Sequence, residues 1–295
     1  MIYFCIPVHN RLPYTIRCIE SIIKQPNGNI KIILADSAST DGTKEVIRSK
    51  FPEVRVIETS DAVWWAGATN LCIKEALLTA TDRDYVFTLN NDTELSPGTL
   101  DKLSGAAGKN PTSIIGAVNV FYADHDKIEP SAFKRNPRAW FLKKFHYPVN
   151  MWGESIGNRS GLFPVDTLSG KGVLIPVKVF RQIGLYNENQ LPHYHADTEF
   201  IIRCTAAGYP VNLCYDIPVY SHQELSGSGT KTSNPGLRSF IKSFTDLKSA
   251  NHLASNRNFC RLIYGNNWLL YFFYGMSRAV FGFTRRYLAS FISIK

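Results

Sequence analysis

Residues 2–8, 31–35, 54–57, 85–89 and 113–120 are short apolar runs closed by polar or turn-forming residues, the pattern of strands buried on both faces. Between them the period changes. Tyr14, Ile16, Ile19, Ile22 and Ile23 recur at helical spacing, as do Leu71, Ile73, Ala76 and Leu77 within 67–79. A turn at Ser39-Thr40-Asp41-Gly42-Thr43 feeds a helix to about Ser49, with Thr40 or Asp41 as its expected N-cap. A further helix is expected over 97–108. Strand and helix in this alternation predict an α/β fold with a mostly parallel central sheet flanked by helices.

The rhythm breaks at 121–165, which reads as a long irregular insertion. It carries Lys134, Arg135, Arg138, Lys143 and Lys144 beside Trp140, Phe141, Phe145 and Trp152. Insertions of this length inside a compact domain are usually functional. The pattern returns with a strand at 174–176 and a helix over 177–183. A second helix over 197–207 is closed by Gly208. Short strands are expected near 211–214 and 219–221, and a helical tail from about Gly236.

Charge changes the picture only at the end of the chain. The formal net charge is +9, and residues 223–295 hold ten Lys or Arg against Glu224 and Asp246. Aromatics crowd the same stretch, from Trp268, Tyr271, Phe272, Phe273 and Tyr274 to Phe281, Phe283, Tyr287 and Phe291. Aromatics and Leu beside Arg278, Arg285 and Arg286 fit a helix lying on an anionic membrane surface better than a nucleic-acid groove. A solvated helical face is the plainer alternative. No apolar run there reaches the ~20 residues of a spanning helix, because Arg278 ends the one that starts at Trp268. The six cysteines form no C-x-x-C and fall in apolar patterns, as reduced core thiols do. The chain starts directly on strand-like residues, so no secretory signal is expected.

Candidate chemistry sits where strands end, since ligands of an open α/β sheet bind at the carboxyl ends of its strands. Asp92, in Leu89-Asn90-Asn91-Asp92, emerges there. It is either a turn former or a ligand holding Mg2+ or Mn2+ against phosphates. His222, after Val219-Tyr220-Ser221, is a candidate second ligand. Asp36 ends the second strand, where it can cap a turn or accept hydrogen bonds from a nucleoside. The loop of Pro7, Val8, His9, Asn10 and Arg11 lies beside it. Asp197 and Glu199 open a helix, where the dipole favours acids. Asp197, at its very start, is placed to act as a general base for a hydroxyl. There is no G-x-G-x-x-G and no G-x-x-x-x-G-K-[ST], which excludes a dinucleotide fingerprint and a P-loop.

In order, these segments resemble an inverting family 2 glycosyltransferase of the A-type fold, of the rhamnosyltransferase-like branch. The matching motifs are Pro7-Val8-His9-Asn10-Arg11, Ala35-Asp36 through Thr43, and Trp64-Trp65-Ala66-Gly67-Ala68-Thr69-Asn70. They continue with Leu89-Asn90-Asn91-Asp92-Thr93, Ser169 through Glu188, and Ala196-Asp197-Thr198-Glu199 with Arg203. The resemblance covers residues 1–224 as a catalytic domain and leaves 225–295 as a helical, basic, membrane-interfacial extension. It implies transfer of a sugar from a dTDP-rhamnose or UDP-hexose type donor to a glycan or lipid-linked glycan, with inversion, in cell-surface polysaccharide synthesis. Lipopolysaccharide is one such product. The enzyme would sit at the inner face of the cell membrane.

The resemblance also assigns roles. Asp197 is the base, and Asp92 and His222 hold Mn2+ or Mg2+. Residues 7–11, Asp36, Gly67, Asn70 and Asn91 serve the nucleotide; Trp152, Gly170, His193 and Glu199 serve the acceptor. Ser226-Gly227-Ser228-Gly229 matches a flexible loop. Two positions depart from the pattern: the usual D-x-D is Asn90-Asn91-Asp92, and the acid before the base is Ala196. The alternative is a degenerate member that binds a nucleotide sugar without transferring it.

Overall fold

The computed structural model describes residues 1–26, 28–135, 146–222 and 236–292. In chain order the first half runs β1 (Ile2–Val8), α1 (Leu12–Ile23), β2 (Ile30–Ser37), α2 (Thr43–Lys50), β3 (Arg55–Thr59), α3 (Trp65–Leu77), β4 (Tyr85–Thr88), β5 (Thr93–Leu95), α4 (Thr99–Lys109) and β6 (Ile114–Phe121). There follow β7 (Ile128–Glu129), β8 (Ala132–Arg135), β9 (His146–Pro148), β10 (Leu162–Pro164), β11 (Thr167–Leu168) and β12 (Val173–Pro176). The remainder is α5 (Val177–Ile183), α6 (Ala196–Ala206), β13 (Val211–Ser221), α7 (Leu237–Ser243), α8 (Leu253–Tyr264) and α9 (Trp268–Ile292).

The main sheet has the order β10-β13-β6-β12-β4-β1-β2-β3. β3, β2, β1 and β4 are mutually parallel, and β6 is parallel to β13. β12 runs antiparallel between β4 and β6. It enters the sheet through the tight turn at Gly172 (φ +76°), with Val173 opposite Thr88, the last residue of β4. The loop before β12 therefore lies at the same edge as the ends of β1, β2 and β4. That edge collects the candidate chemistry.

Burial on both faces explains the continuous apolar runs. Along β1, Tyr3 and Cys5 face a core made with α3, α5 and α6, while Ile2, Phe4, Ile6 and Val8 face one made with α1, α2 and α4. Both layers are fully closed: Phe4, Ile6, Leu34 and Phe200 have no exposed surface. Burial at this level contributes about 1.5–3 kcal/mol per large aliphatic or aromatic side chain. All six cysteines are buried and unpaired, as their apolar settings imply.

Several expectations are corrected. Residues 121–165 are not simply irregular: β7 and β10 extend the main sheet, and β8 joins β11 and β9 in a small second sheet. Short two- to four-residue strands carry too little periodicity to show in sequence. Arg138, Trp140, Phe141, Lys143 and Lys144 lie outside the described residues, as do Ser226-Gly227-Ser228-Gly229 and Glu224. The two strands expected at 211–214 and 219–221 are one, β13, whose register on β6 shifts between Cys214 and Pro218. Pro218 breaks the ladder without ending the strand.

The N-cap of α2 is Gly42, in the left-handed region at φ 79°, rather than Thr40 or Asp41. Asp41 still serves the helix. One carboxylate oxygen accepts from the Thr43 amide (3.2 Å), and the other accepts from the Leu12 amide at the start of α1 (2.8 Å). One side chain thus satisfies open donors of two helices. Partial burial pushes the Asp41 carboxyl up, but hydrogen bonds from Thr43 and Leu12 outweigh it and hold it below the usual range. A depressed folded-state pKa means the contribution is complete above the unfolded value and is lost as pH falls through the folded one. Asp41→Ala is expected to cost about 1 kcal/mol in urea unfolding at pH 7, with the difference between variant and parent closing below about pH 4.

Candidate active site

The first wall of the site is the β1–α1 loop. Asn10 and Arg11 are consecutive non-glycine residues at φ 59° and 66°, a conformation that costs of order 1 kcal/mol or more per residue. The neighbouring β2–α2 loop holds it in place. The Asn10 amide donates to Ser39 Oγ (2.7 Å), Asn10 Oδ1 accepts from the Thr40 amide (2.8 Å), and His9 Nδ1 donates to the Ser37 carbonyl (2.7 Å). Asp36 stands in register with Val8 at the strand ends and accepts from the Ser39 amide at 3.0 Å. The residues read as a nucleoside site, 7–11 and Asp36, form one continuous rim.

The strain has a consequence. Arg11 is turned so that its guanidinium meets the Asp92 carboxylate at 3.0 Å. Asp92 is 4% exposed, and its other oxygen, Oδ1, is buried with no hydrogen-bond partner. A buried anionic oxygen left in that state is costly unless a cation or donor completes it. Asn91 does not open to the site: its amide nitrogen bonds Thr15 Oγ1 at 3.0 Å and the Asn10 carbonyl at 3.3 Å, tying the two loops together.

His222 reaches Asp92 from the far end of the chain. Its backbone N–H donates to the Asp92 carbonyl at 3.1 Å, because β13 carries it to the same edge. The imidazole is stacked on Tyr122 (centroids 4.0 Å apart), meets the edge of Tyr14 (4.9 Å), and its Nε2 lies 2.9 Å from Glu94 Oε1. Glu94 was missed in sequence. It sits two residues past Asp92 on β5, a strand too short to show, and pairs opposite Tyr220 of β13. Lys171 was also missed: it bonds Glu129 at 3.1 Å and Ser221 Oγ at 3.2 Å, a half-buried cation one residue from His222. Among the described residues no three or more His, Cys, Asp or Glu side chains converge as a ready-made metal cage.

The opposite wall centres on Asp197. Asp197 is half-buried at the start of α6, after His195 in the left-handed region at φ 72°. One oxygen accepts from the Gly170 amide (2.8 Å), the other from the Thr198 amide (2.7 Å). Gly170 is required for this approach, because a Cβ there would stand 2.5 Å from the Trp65 ring. The Trp65 indole N–H in turn donates to Asn90 Oδ1 at 2.9 Å. A chain of contacts, Asp197–Gly170–Trp65–Asn90, thus links Asp197 to the segment that carries Asp92. Burial lowers the pKa values of His193 and His195 against the opposing pull of Asp197.

Other assigned residues have different surroundings. Glu199 is 2% exposed and paired with Arg203 at 2.6 Å; Arg203 also donates to the Ile183 and Leu185 carbonyls. The Glu199–Arg203 pair fixes α6 to the turn after α5. Asn70 donates to the Tyr186 carbonyl and to Glu188 Oε2, both at 2.9 Å, and Gly67 packs under Val63 and Glu188. Both hold the segment leading to Asp197. Trp152 is 40% exposed and packs on Phe121. His193 lies against Trp64 at 5.8 Å. The C-terminal helices also reach this wall: Phe259 of α8 stacks on His195 (4.7 Å), Asn258 donates to the Gln190 carbonyl (3.0 Å), and Lys248 stands 6.0 Å over Trp64.

A mostly parallel sheet flanked by helices, with its carboxylates gathered at one edge, is the A-type fold of glycosyltransferases. Solved structures agree on that fold. One is GalNAc-T7, solved with UDP, GalNAc and Mn2+ (TM-score 0.67, 14% identity, 95% of this chain); this chain spans about half of that one, 51%. Another is residues 1–349 of TarS from S. aureus (TM-score 0.53, 11% identity, 89% of this chain and 80% of that one). The family model "Glycosyl transferase family 2" matches residues 3–183, and the chain belongs to that family. It is 28% identical over 212 residues to the N-acetylglucosaminyl-diphospho-decaprenol L-rhamnosyltransferase of Mycobacterium tuberculosis, covering 67% of this chain and 68% of the relative. It is also 33% identical over 92 residues to glycosyltransferase GlyG of Streptococcus pneumoniae (29% and 31% covered).

Proposed function

We propose that this protein transfers a sugar, with inversion, from a dTDP-rhamnose or UDP-hexose type donor to a hydroxyl of a lipid-linked glycan, in cell-surface polysaccharide synthesis. The observation that carries the reading is the half-buried Asp197 carboxylate, held by the Gly170 amide at 2.8 Å and linked through Trp65 and Asn90 to the Asp92 segment. Asp197 takes the proton of the acceptor hydroxyl, which makes the oxygen nucleophilic as it attacks the anomeric carbon from the face opposite the diphosphate. The rim at 7–11 and Asp36 binds and orients the nucleoside. Arg11 lies where positive charge meets the diphosphate.

The donor set fits a divalent cation. The orphaned Asp92 Oδ1, His222 and the adjacent Glu94 carboxylate are hard or borderline ligands of the kind Mn2+ and Mg2+ take. Asp92 and His222 would hold the ion, whose chemistry is to stabilise negative charge on the departing diphosphate. The Mn2+ in the solved GalNAc-T7 structure supports this assignment. Calorimetry checks it without turnover: Asp92→Asn is expected to abolish Mn2+-dependent tightening of nucleoside diphosphate binding while leaving metal-free binding within about twofold. Equal Mn2+ dependence in the variant would remove Asp92 from the site.

The relative named for a decaprenol-linked acceptor supports a lipid-linked acceptor here. It also supports a catalytic unit of residues 1–224 working at the inner membrane face, with 225–295 as its extension. The test is a panel of dTDP-, UDP- and GDP-sugars with Mn2+ or Mg2+ and a short-chain lipid-linked acceptor, reading nucleoside diphosphate release. Release from one donor, lost with EDTA and in Asp197→Asn, is the expected result. Donor binding with no release, acceptor present, would make the protein a nucleotide-sugar binder.

A further inference from the structure

Among the described residues, nothing packs on an apolar stripe of α9. Leu269, Leu270, Phe273, Val280, Phe281 and Leu288 are between 47% and 73% exposed. At about 100° per residue they fall within an arc of about 120° along some five turns. The other side of the helix is anchored to the protein. Phe283 stacks on Phe240 of α7, and Tyr271 on Tyr264 of α8, both at 4.1 Å. Docking of the helix therefore leaves its exposed large apolar side chains gathered on one side.

The margin of the stripe is cationic. Arg278 and Arg285 are exposed and lie about 40–60° beyond its edge on the same side. They belong to the stretch, 223–295, that holds ten cations against two acids. Among the described residues no helix is long and apolar enough to cross a membrane. A second copy of the chain would bring like-charged margins together, and Ser277 and Thr284, which fall inside the arc, interrupt the stripe with hydroxyls. An anionic bilayer matches both features: its headgroups meet the arginines and its acyl boundary accepts the aromatic and aliphatic side chains.

We infer that the 269–288 stripe of α9 is a docking surface for an anionic lipid bilayer, with Phe273 and Phe281 inserted and Arg278 and Arg285 at the headgroups. The inference deepens the membrane placement proposed above and rests on it for its role. Its test reads lipid binding, so it can fail while sugar transfer stands. The full-length protein is sedimented with vesicles of phosphatidylcholine alone or mixed with phosphatidylglycerol. Binding is expected only with phosphatidylglycerol and is expected to weaken as salt is raised.

Phe273→Ser/Phe281→Ser should weaken binding about tenfold or more, and Arg278→Glu/Arg285→Glu should remove the preference for anionic vesicles. Both variants should keep the parent melting temperature and nucleotide binding. Three results would overturn the inference: no binding to either vesicle, binding indifferent to both variants, or a concentration-dependent dimer in sedimentation that the phenylalanine variant abolishes while vesicle binding stays absent.

Discussion

Asp197→Asn is expected to lower kcat about 10^3-fold while leaving donor affinity within about twofold. General-base catalysis contributes about 10^2–10^4-fold, and the amide keeps size and shape while losing basicity. The geometry calls for a second variant. The acceptors of the Gly170 and Thr198 amides are the two oxygens of Asp197. An asparagine can satisfy one of them with its carbonyl and must turn its NH2 toward the other. The Asp197→Ser variant, which removes that conflict, controls for misplacement of α6. If both variants turn over within about tenfold of the parent, another group takes the proton and the assignment fails. A pH–rate profile adds a second check, since the limb belonging to the base should disappear with the carboxylate.

Gly170→Ala is expected to reduce kcat about 10^2-fold, nearly as much as many direct active-site changes. The added methyl would stand 2.5–2.6 Å from two carbons of the Trp65 ring and 3.4 Å from the Asp197 Cβ. Something must shift. Overpacking of this kind costs about 1–3 kcal/mol, and a displacement near 1 Å at the reacting groups costs about 10^2 in rate. The ring is tethered at 2.9 Å to Asn90 Oδ1, so its displacement also disturbs the segment that carries Asp92. A paired Gly170→Ala/Trp65→Phe variant frees space at the ring edge and is expected to recover part of kcat. If Gly170→Ala turns over like the parent, Trp65 does not couple the two walls. Trp65 fluorescence, read on nucleoside diphosphate titration, reports the same coupling without turnover.

Much of this protein follows from local pattern. The strand–helix alternation of the first 120 residues depends on short-range periodicity, and β1, α1, β2, α2, β4, α4 and β6 appear within two residues of where that pattern puts them. The ends of β1, β2 and β4 are legible for the same reason, and with them Asp36, Asp92 and the loop 7–11. Asp197 is legible because a helix start is marked by its acids. What one-dimensional pattern does not carry is direction and company. That β12 runs antiparallel between β4 and β6 depends on the turn at Gly172 and on which edge has room, a property of the assembled sheet.

Partners are likewise settled by the tertiary structure. Asn70 and Glu199 close two of the matching motifs, and the resemblance assigns both to the site. The fold turns both inward, to Tyr186 and to Arg203, where they hold the wall that presents Asp197. Glu94, Lys171 and Trp65 are given no role by local pattern, yet contacts near 3 Å across 25 to 128 residues put them beside His222, Ser221 and Asn90. The amphipathic character of the tail is visible in its composition. The phase at which α9 docks, and therefore which residues stay exposed, is decided by the Phe240–Phe283 and Tyr264–Tyr271 stacks. Sequence alone determined the elements and the identity of the carboxylates, because those depend on neighbours along the chain. Only the tertiary structure decided which carboxylates face the cleft, because that depends on which distant groups neutralise or bury them.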